Sequence, residues 1–393
     1  MFELKFLFWA AAALILYTYV GYPAVLALLT RGKRPGAASE NDSVAARDLP
    51  SATLIVPACN EERWIARKIA NSLALDYPRE RLEIIVASDG SDDRTVEIAQ
   101  SCEASEISVV AFASRVGKQE MLNRLVPGAR GEIIAMTDAN ALLASDALRR
   151  LVEPFADARV GCTIGRRVCI VQERSVASVA ESLYWRYESW IKGAESRVHS
   201  CLAATGQLYA VRRSLFPHVE RVGEDFYIPM KVLASTDRRV AYVPEAVAAI
   251  PAAASLAIEF ERKTRAHVAF LISLPLLKQL LLPWRTPVWW QFISHHVLRM
   301  LVPVAMLAAI ICSATLAPSA GAYFALLIVA QLVFYSLAFG GWMFAERGRR
   351  PKIFYFPFYF VFVQLALAQA WMRWPRRKYD YFWQRTERLP DAS

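Results

Sequence analysis

The chain has 393 residues, room for two or three domains at ~150 residues each. Hydrophobic residues make up 55% and charged residues 21%, which excludes a disordered chain and exceeds the apolar share of an ordinary soluble enzyme. The net charge is +10, but the basic residues gather at the edges of apolar segments, where lipid rather than nucleic acid accounts for them.

The six Cys are scattered and no two form a CxxC pair, so neither a zinc framework nor a disulfide scaffold is indicated. Residues 1–30 are expected to form a transmembrane helix, because 4–29 carry Lys5 as their only charge. At ~1.5 Å per residue such a stretch crosses a ~30 Å hydrocarbon core. A cleaved leader would be shorter and end at small residues. Here Arg31, Lys33 and Arg34 follow instead, which places the N-terminus outside and the chain from residue 31 in the cytoplasm. Residues 31–50, rich in Ala, Ser, Asp and Pro, read as a linker.

Residues 51–250 have the composition of a soluble domain. Short β-rich runs stand at 53–56, 83–87, 107–112 and 132–136, with helical patterns at about 61–75, 92–102 and 117–126 between them. Such alternation predicts an α/β fold with a mainly parallel sheet covered on both faces. Sheets of this kind bind ligands beyond the carboxyl ends of their strands. Residues 251–290 read as interfacial helices with a basic cluster. The stretch 268–282 is short for a span, holds Pro275 and Lys278, and is followed by Trp284, Trp289 and Trp290.

Residues 291–375 are expected to hold transmembrane helices at roughly 292–316, 321–344 and 353–374, before a basic tail at 376–393. Three spans would leave the tail outside. Yet Arg376, Arg377, Lys378, Arg385 and Arg388 mark it as inside, as do Arg347, Arg349, Arg350 and Lys352 for their loop. The weakest span is 353–374, interrupted by Pro357, which could dip in and return.

The chemistry-bearing residues fall at the expected strand ends. The first strand ends in Pro57-Ala58-Cys59-Asn60-Glu61-Glu62. The second ends in Ser88-Asp89-Gly90-Ser91-Asp92-Asp93, where Gly90 permits a sharp turn and Asp89 is left to accept hydrogen bonds from a ribose or a base. Lys118, after Gly117 and before a helix, can meet phosphate oxygens. Thr137-Asp138-Ala139-Asn140 offers oxygen ligands two residues apart, a pattern suited to a hard divalent cation beside a diphosphate. Further on come Gly206-Gln207-Leu208-Tyr209-Ala210-Val211-Arg212 and then Gly223-Glu224-Asp225-Phe226. An acidic pair in an apolar stretch is costly unless used, and one of the two is a candidate general base. The cluster Glu259 to Arg265 can contact anionic lipid head groups or close over a diphosphate.

In this order the segments resemble the membrane-bound family 2 glycosyltransferases, over about residues 51–265 and more loosely beyond, including Trp383-Gln384-Arg385 of the tail. The resemblance implies a GT-A fold, a nucleotide-sugar donor (commonly a UDP-sugar), Mg2+ or Mn2+, and inversion at the anomeric carbon. It puts Pro57, Asn60 and Glu61 at the nucleotide-binding first strand and Asp89 on the uridine. Lys118 matches the Lys of the family's GK segment near the donor, and Asp138 the first Asp of its DxD metal motif, with Asn140 as the second metal position. Gly206 and Arg212 belong to the acceptor segment. Asp225 matches the catalytic base of the E-D pair, leaving Glu224 to the acceptor side. Arg262 and Arg265 occupy the Gln and Arg positions of the Gln-x-x-Arg-Trp of processive members, and the resemblance assigns both to the donor diphosphate. There are two departures: Asn140 replaces an Asp, and Ala266 stands where processive members carry Trp.

The expected function is inverting transfer from a UDP-sugar to a membrane-associated acceptor, a lipid-linked oligosaccharide or an exopolysaccharide. The expected location is the bacterial inner membrane, multi-pass, with the catalytic domain cytoplasmic. Alternatives are glycolipid formation on a simple lipid, a processive polysaccharide synthase, and a degenerate subunit of a polysaccharide export complex, whose proteins are also possible partners.

Overall fold

The computed structural model describes residues 1–32, 49–102, 104, 106–170, 176–203, 206–251, 255–319, 321–346 and 351–376. Most of the expected linker, the basic loop at 347–350 and the tail from 377 lie outside the described residues.

Among the described residues, eight strands form one sheet: β1 (Ala52–Ala58), β2 (Leu82–Asp89), β3 (Ile107–Phe112), β4 (Ile133–Met136), β5 (Leu142–Leu143), β6 (Val160–Ile170), β7 (Tyr209–Arg212) and β8 (Arg239–Pro251). Their order is β3-β2-β1-β4-β7-β6-β8-β5. The four expected strands are β1–β4, and all pair in parallel. The sheet is mixed beyond them: β7 runs antiparallel to β4 and β6, β5 antiparallel to β8, and β6 parallel to β8.

Alternate residues of the central strands serve opposite faces, as a period of two requires. Leu54, Val56, Ile133 and Ala135 enter one core with Ile65 and Ile69 of the helix Ile65–Leu73. Ile55, Ile134 and Met136 enter the other, which continues through Phe292 and Met300 to Tyr355, Val363 and Leu367. The second core therefore unites the sheet with the C-terminal helices.

Among the described residues, four helical stretches are long and apolar enough to cross a membrane: Phe2–Leu29, Trp289–Leu316, Ala322–Ala345 and Lys352–Arg373. Large apolar side chains such as Leu326, Leu332 and Phe339 face outward on the third, a surface suited to lipid rather than water. Pro357 does not break the last helix. It sits in the first turn of Tyr355–Arg373, where its missing N–H would have had no partner.

The stretch 268–282 is not one helix. It is divided between the helix Leu256–Ser273 and a tighter 3-10 segment, Leu274–Leu281, which accommodates Pro275. The first of these is capped by Ser255, whose Oγ accepts from the Ile258 N–H at 3.3 Å, and it carries the basic cluster. The long helix Val176–Val198 packs against both the sheet and the N-terminal helix, where Tyr22, Leu26, Ile191 and Ala194 form a small core.

Candidate active site

The loops after β1 and β2 are laced together. The Asn60 N–H donates to Ser91 Oγ at 3.1 Å, Asn60 Oδ1 accepts from the Asp92 N–H at 3.0 Å, and the Glu61 N–H donates to Thr95 Oγ1 at 2.8 Å. Asn60 adopts φ 56°, a left-handed conformation that Asn tolerates better than most residues. Pro57 is buried within β1.

Asp89 is fully buried and turned toward the segment that leads into Lys118. Its Oδ1 accepts from the Val116 and Gly117 N–H groups at 2.7 and 3.1 Å, and its Oδ2 from Gly117 at 3.1 Å. The neighbouring Gly90, at φ 61°, has no room for a side chain, since a Cβ would stand 2.6 Å from the Arg115 nitrogen. Asp89→Asn trades one acceptor for a donor facing these N–H groups. It is expected to cost about 1–3 kcal/mol, read as a lowered melting temperature of the full chain.

Lys118 opens the helix Lys118–Leu125. Its Nζ lies 3.1 Å from Asp138 Oδ1 and 2.7 Å from Glu224 Oε1. Asp138 Oδ2 accepts from Gln207 Nε2 at 3.0 Å. Glu224 and Asp225 begin the helix Glu224–Ser235, whose N-terminus favours negative charge. Gly206 sits between the acidic segments: a Cβ there would be 3.4 Å from Asp225 Oδ2 and 3.8 Å from Asp138 Oδ1.

Three carboxylates thus surround one ammonium. Burial opposes the Lys118 charge, but Asp138, Glu224 and Asp225 outweigh it and hold the group protonated well above the ordinary lysine range. Burial and the Glu224 carboxylate push the Asp225 carboxyl up to about 6, with Asp138 adding to the rise and Lys118 opposing it. Asp225 Oδ1 accepts from the Phe226 N–H at 2.9 Å.

These groups line a cavity of about 420 Å³, together with Gly206, Gln207, Arg262 and Arg265. Arg262 is clasped to Glu259, its Nε 2.8 Å from Oε2, and Arg265 Nε is buried without a hydrogen-bond partner. Seven expected site residues therefore converge: Lys118, Asp138, Gly206, Glu224, Asp225, Arg262 and Arg265. Pro57, Asn60, Glu61, Asp89, Asn140 and Arg212 are not part of this lining. Arg212 is engaged elsewhere, its guanidinium donating to the Phe155, Asp157 and Val160 carbonyls and stacking on the Phe155 ring. Asn140 is buried, and its Oδ1 has no hydrogen-bond partner among the described residues.

Lys68 was not expected here. It is fully buried beneath the 137–141 loop, donating to Thr137 Oγ1 at 3.0 Å and the Ala141 carbonyl at 2.5 Å. Burial lowers its pKa to about 7, against the pull of Asp138. Its signal was present, since Ile65, Lys68, Ile69 and Ser72 share the buried face of one helix. The cavity also reaches Trp185, Glu188 and Lys192 on the helix Val176–Val198, and His295 and Arg299 beyond it. Spacings of three and four residues mark Glu188, Lys192 and Glu195 as one helix face, and ionisable groups within an apolar span are a signal of their own.

A mixed, mostly parallel sheet with clustered carboxylates and a lysine at its strand ends is a GT-A architecture. The protein contains a glycosyl transferase family 2 domain, whose family model matches residues 53–219. Beta-monoglucosyldiacylglycerol synthase of Trichormus variabilis is 33% identical over 141 residues, 35% of this chain and 28% of that enzyme. An N-acetylglucosaminyltransferase of Rhizobium leguminosarum bv. viciae is 25% identical over 250 residues, 58% of each chain. The matches thus span between about a quarter and three fifths of these relatives' lengths. The mannosyltransferase PcManGT from Pyrobaculum calidifontis, solved in complex with GDP-Man and Mn2+, shares the fold along 95% of this chain and 99% of its own, with a TM-score of 0.70 and 24% identity.

Proposed function

We propose that the protein is an inverting glycosyltransferase that moves a sugar from a UDP-sugar to a membrane-associated acceptor, a lipid-linked oligosaccharide or an exopolysaccharide. The observation that carries this reading is Asp225. It is a carboxyl with a raised pKa in the wall of a cavity shared by Lys118, Asp138 and two arginines, between the sheet's strand ends and the long apolar helices. We place those helices in the bacterial inner membrane and the sheet domain in the cytoplasm.

Asp225 takes the proton of the acceptor hydroxyl as that oxygen attacks the anomeric carbon. The bond from this carbon to the diphosphate breaks, UDP leaves with the electron pair, and the configuration inverts. Lys118, Arg262 and Arg265 hold the departing diphosphate by charge-assisted hydrogen bonds. The residues present fit a hard divalent cation. Asp138 supplies a carboxylate in the cavity, and Asn140, two residues on but outside the cavity lining, carries a buried amide oxygen without a partner among the described residues. Among the described residues no cluster of three or more His, Cys, Asp or Glu is suited to a metal ion. Asp138 would therefore be the principal protein ligand of such a cation, with Asn140 as the expected second. When bound, Mg2+ or Mn2+ would neutralise charge on the leaving diphosphate.

A second reading, transfer to a simple lipid, is favoured by the 33% identity to a glucosyldiacylglycerol synthase. UDP release tests both. Membranes carrying the chain are given Mn2+ and a panel of UDP-sugars, with and without native lipid extract. Release for one sugar, only with extract and absent from Asp225→Asn membranes, is the expected result. A water-soluble product marks the first reading and a chloroform-soluble glycolipid the second. Equal release by Asp225→Asn would end the assignment of the base.

A further inference from the structure

The cavity does not stop at the carboxylates. On its far side the helix Val176–Val198 meets the helix Trp289–Leu316, and two cations there have donors that nothing described satisfies. Lys192 is only 4% exposed and lines the cavity. Its ammonium forms no hydrogen bond or ion pair with any described residue and lies only near two rings, 5.7 Å from the Trp185 centroid and 6.0 Å from that of Tyr242. Burial pulls its pKa down. Arg299 lines the same cavity. Its Nη1 meets Glu188 Oε1 at 2.6 Å, but its Nε and Nη2 are buried without partners. The nearby carboxylates are already committed, Glu188 to Arg299 and His295, and Glu195 to His295, Tyr22 and the Leu202 N–H. A buried, unpaired ammonium and unfilled guanidinium donors in one cavity are costly unless an anion completes them.

We propose that Lys192 and Arg299 bind a phosphate group carried by the acceptor lipid, so that the acceptor is a phosphorylated rather than a neutral lipid. This rests on the reading of the cavity as a transferase site. The position supports it: Lys192 and Arg299 line the same cavity as the carboxylates, and Arg299 lies on one of the long apolar helices, where a lipid-linked substrate would pass from polar head to hydrocarbon. The chemistry does too, since a phosphate offers several oxygens at once to an ammonium and a guanidinium edge. A diacylglycerol or a neutral glycan offers neither charge.

The test is equilibrium binding to the purified full chain in detergent, without donor, of three probes: decaprenyl monophosphate, decaprenol and inorganic phosphate. The expected result is at least about ten-fold tighter binding of the phosphate ester than of the alcohol, with inorganic phosphate weaker than the ester. Lys192→Met should erase the preference without lowering the melting temperature, because the lysine has no ion pair to lose. Arg299→Lys keeps a charge opposite Glu188 and should reduce the preference in part. Equal binding of ester and alcohol, or an unchanged preference in Lys192→Met, would overturn the proposal. Inorganic phosphate bound as tightly as the ester would overturn its assignment to a lipid. Because no turnover is read, a chain that fails the UDP-release test can still pass this one, and the reverse.

Discussion

Asp225→Asn is expected to lower turnover by about 10²–10⁴-fold, the usual contribution of a positioned general base, and to raise rather than lower the melting temperature. The second effect follows from linkage. Burial and Glu224 raise the Asp225 carboxyl to about 6 from an ordinary 3.8. The folded protein therefore favours the protonated form more than the unfolded chain does. The stabilisation is full below about 4 and is lost as pH rises through about 6. At neutral pH the ionised carboxylate is a strain that the neutral amide removes. The same shift sets a pH profile: the wild-type rate should climb with pH to a plateau above about 6, as the base loses its proton. Activity unchanged in the variant, or a rate that falls on passing upward through this range, would reject Asp225 as the base. A melting temperature that drops sharply would show instead that the carboxylate is needed for folding.

Lys118→Met carries the second large effect, and of opposite sign in stability. The ammonium is shared by Asp138 at 3.1 Å and Glu224 at 2.7 Å, with both partners largely buried. Its removal leaves carboxylates facing one another without a counter-charge, a change that costs about 3–5 kcal/mol in comparable buried pairs. Lys118 also holds the Asp225 carboxyl down against Glu224 and Asp138. Without it the rise of rate with pH should move to higher pH. Lys118→Arg, which keeps the charge, should restore most of the stability. Thermal unfolding in detergent and a pH–rate profile read both arms. A profile that stays in place would mean that Lys118 and Asp225 do not share one electrostatic site.

Much of the front half of the sheet was legible. The runs that became β1–β4 are β-rich, short and bounded by turn residues, so their period is plain. The later strands were not. β7 lies inside a segment read only as a motif, β5 has two residues, and β8 mixes alanines with charged and polar residues in a run that matches neither period well. The site was legible where chemistry forces residue type: an acidic pair in an apolar setting, a lysine after a glycine, an Asp at a strand end. Asp89 was singled out too, but three backbone hydrogen bonds now account for it as the brace of the Lys118 loop. Arg212 was read from its neighbours in sequence, whereas its guanidinium follows the pleat of β7 to three carbonyls away from the cavity. Lys192 and Arg299 were missed because their sharing one cavity depends on how two helices cross, which no local pattern records.

The core that runs from Ile55 and Ile134 through Phe292 and Met300 to Leu367 bears on how the chain can be made. A ribosome emits Ile55 some three hundred residues before Leu367. Until the C-terminal helices emerge, this core is closed by the helices Lys118–Leu125 and Glu224–Ser235, and the apolar side chains that later meet Phe292, Tyr355 and Leu367 must wait, sheltered by the insertion machinery or by a holding chaperone. An excised fragment of residues 49–251 would lose the cover that Phe292, Met300, Tyr355 and Leu367 give to this core, and it is expected to aggregate more readily than the full chain in detergent. The late helices therefore complete the core of the sheet domain as well as anchoring it.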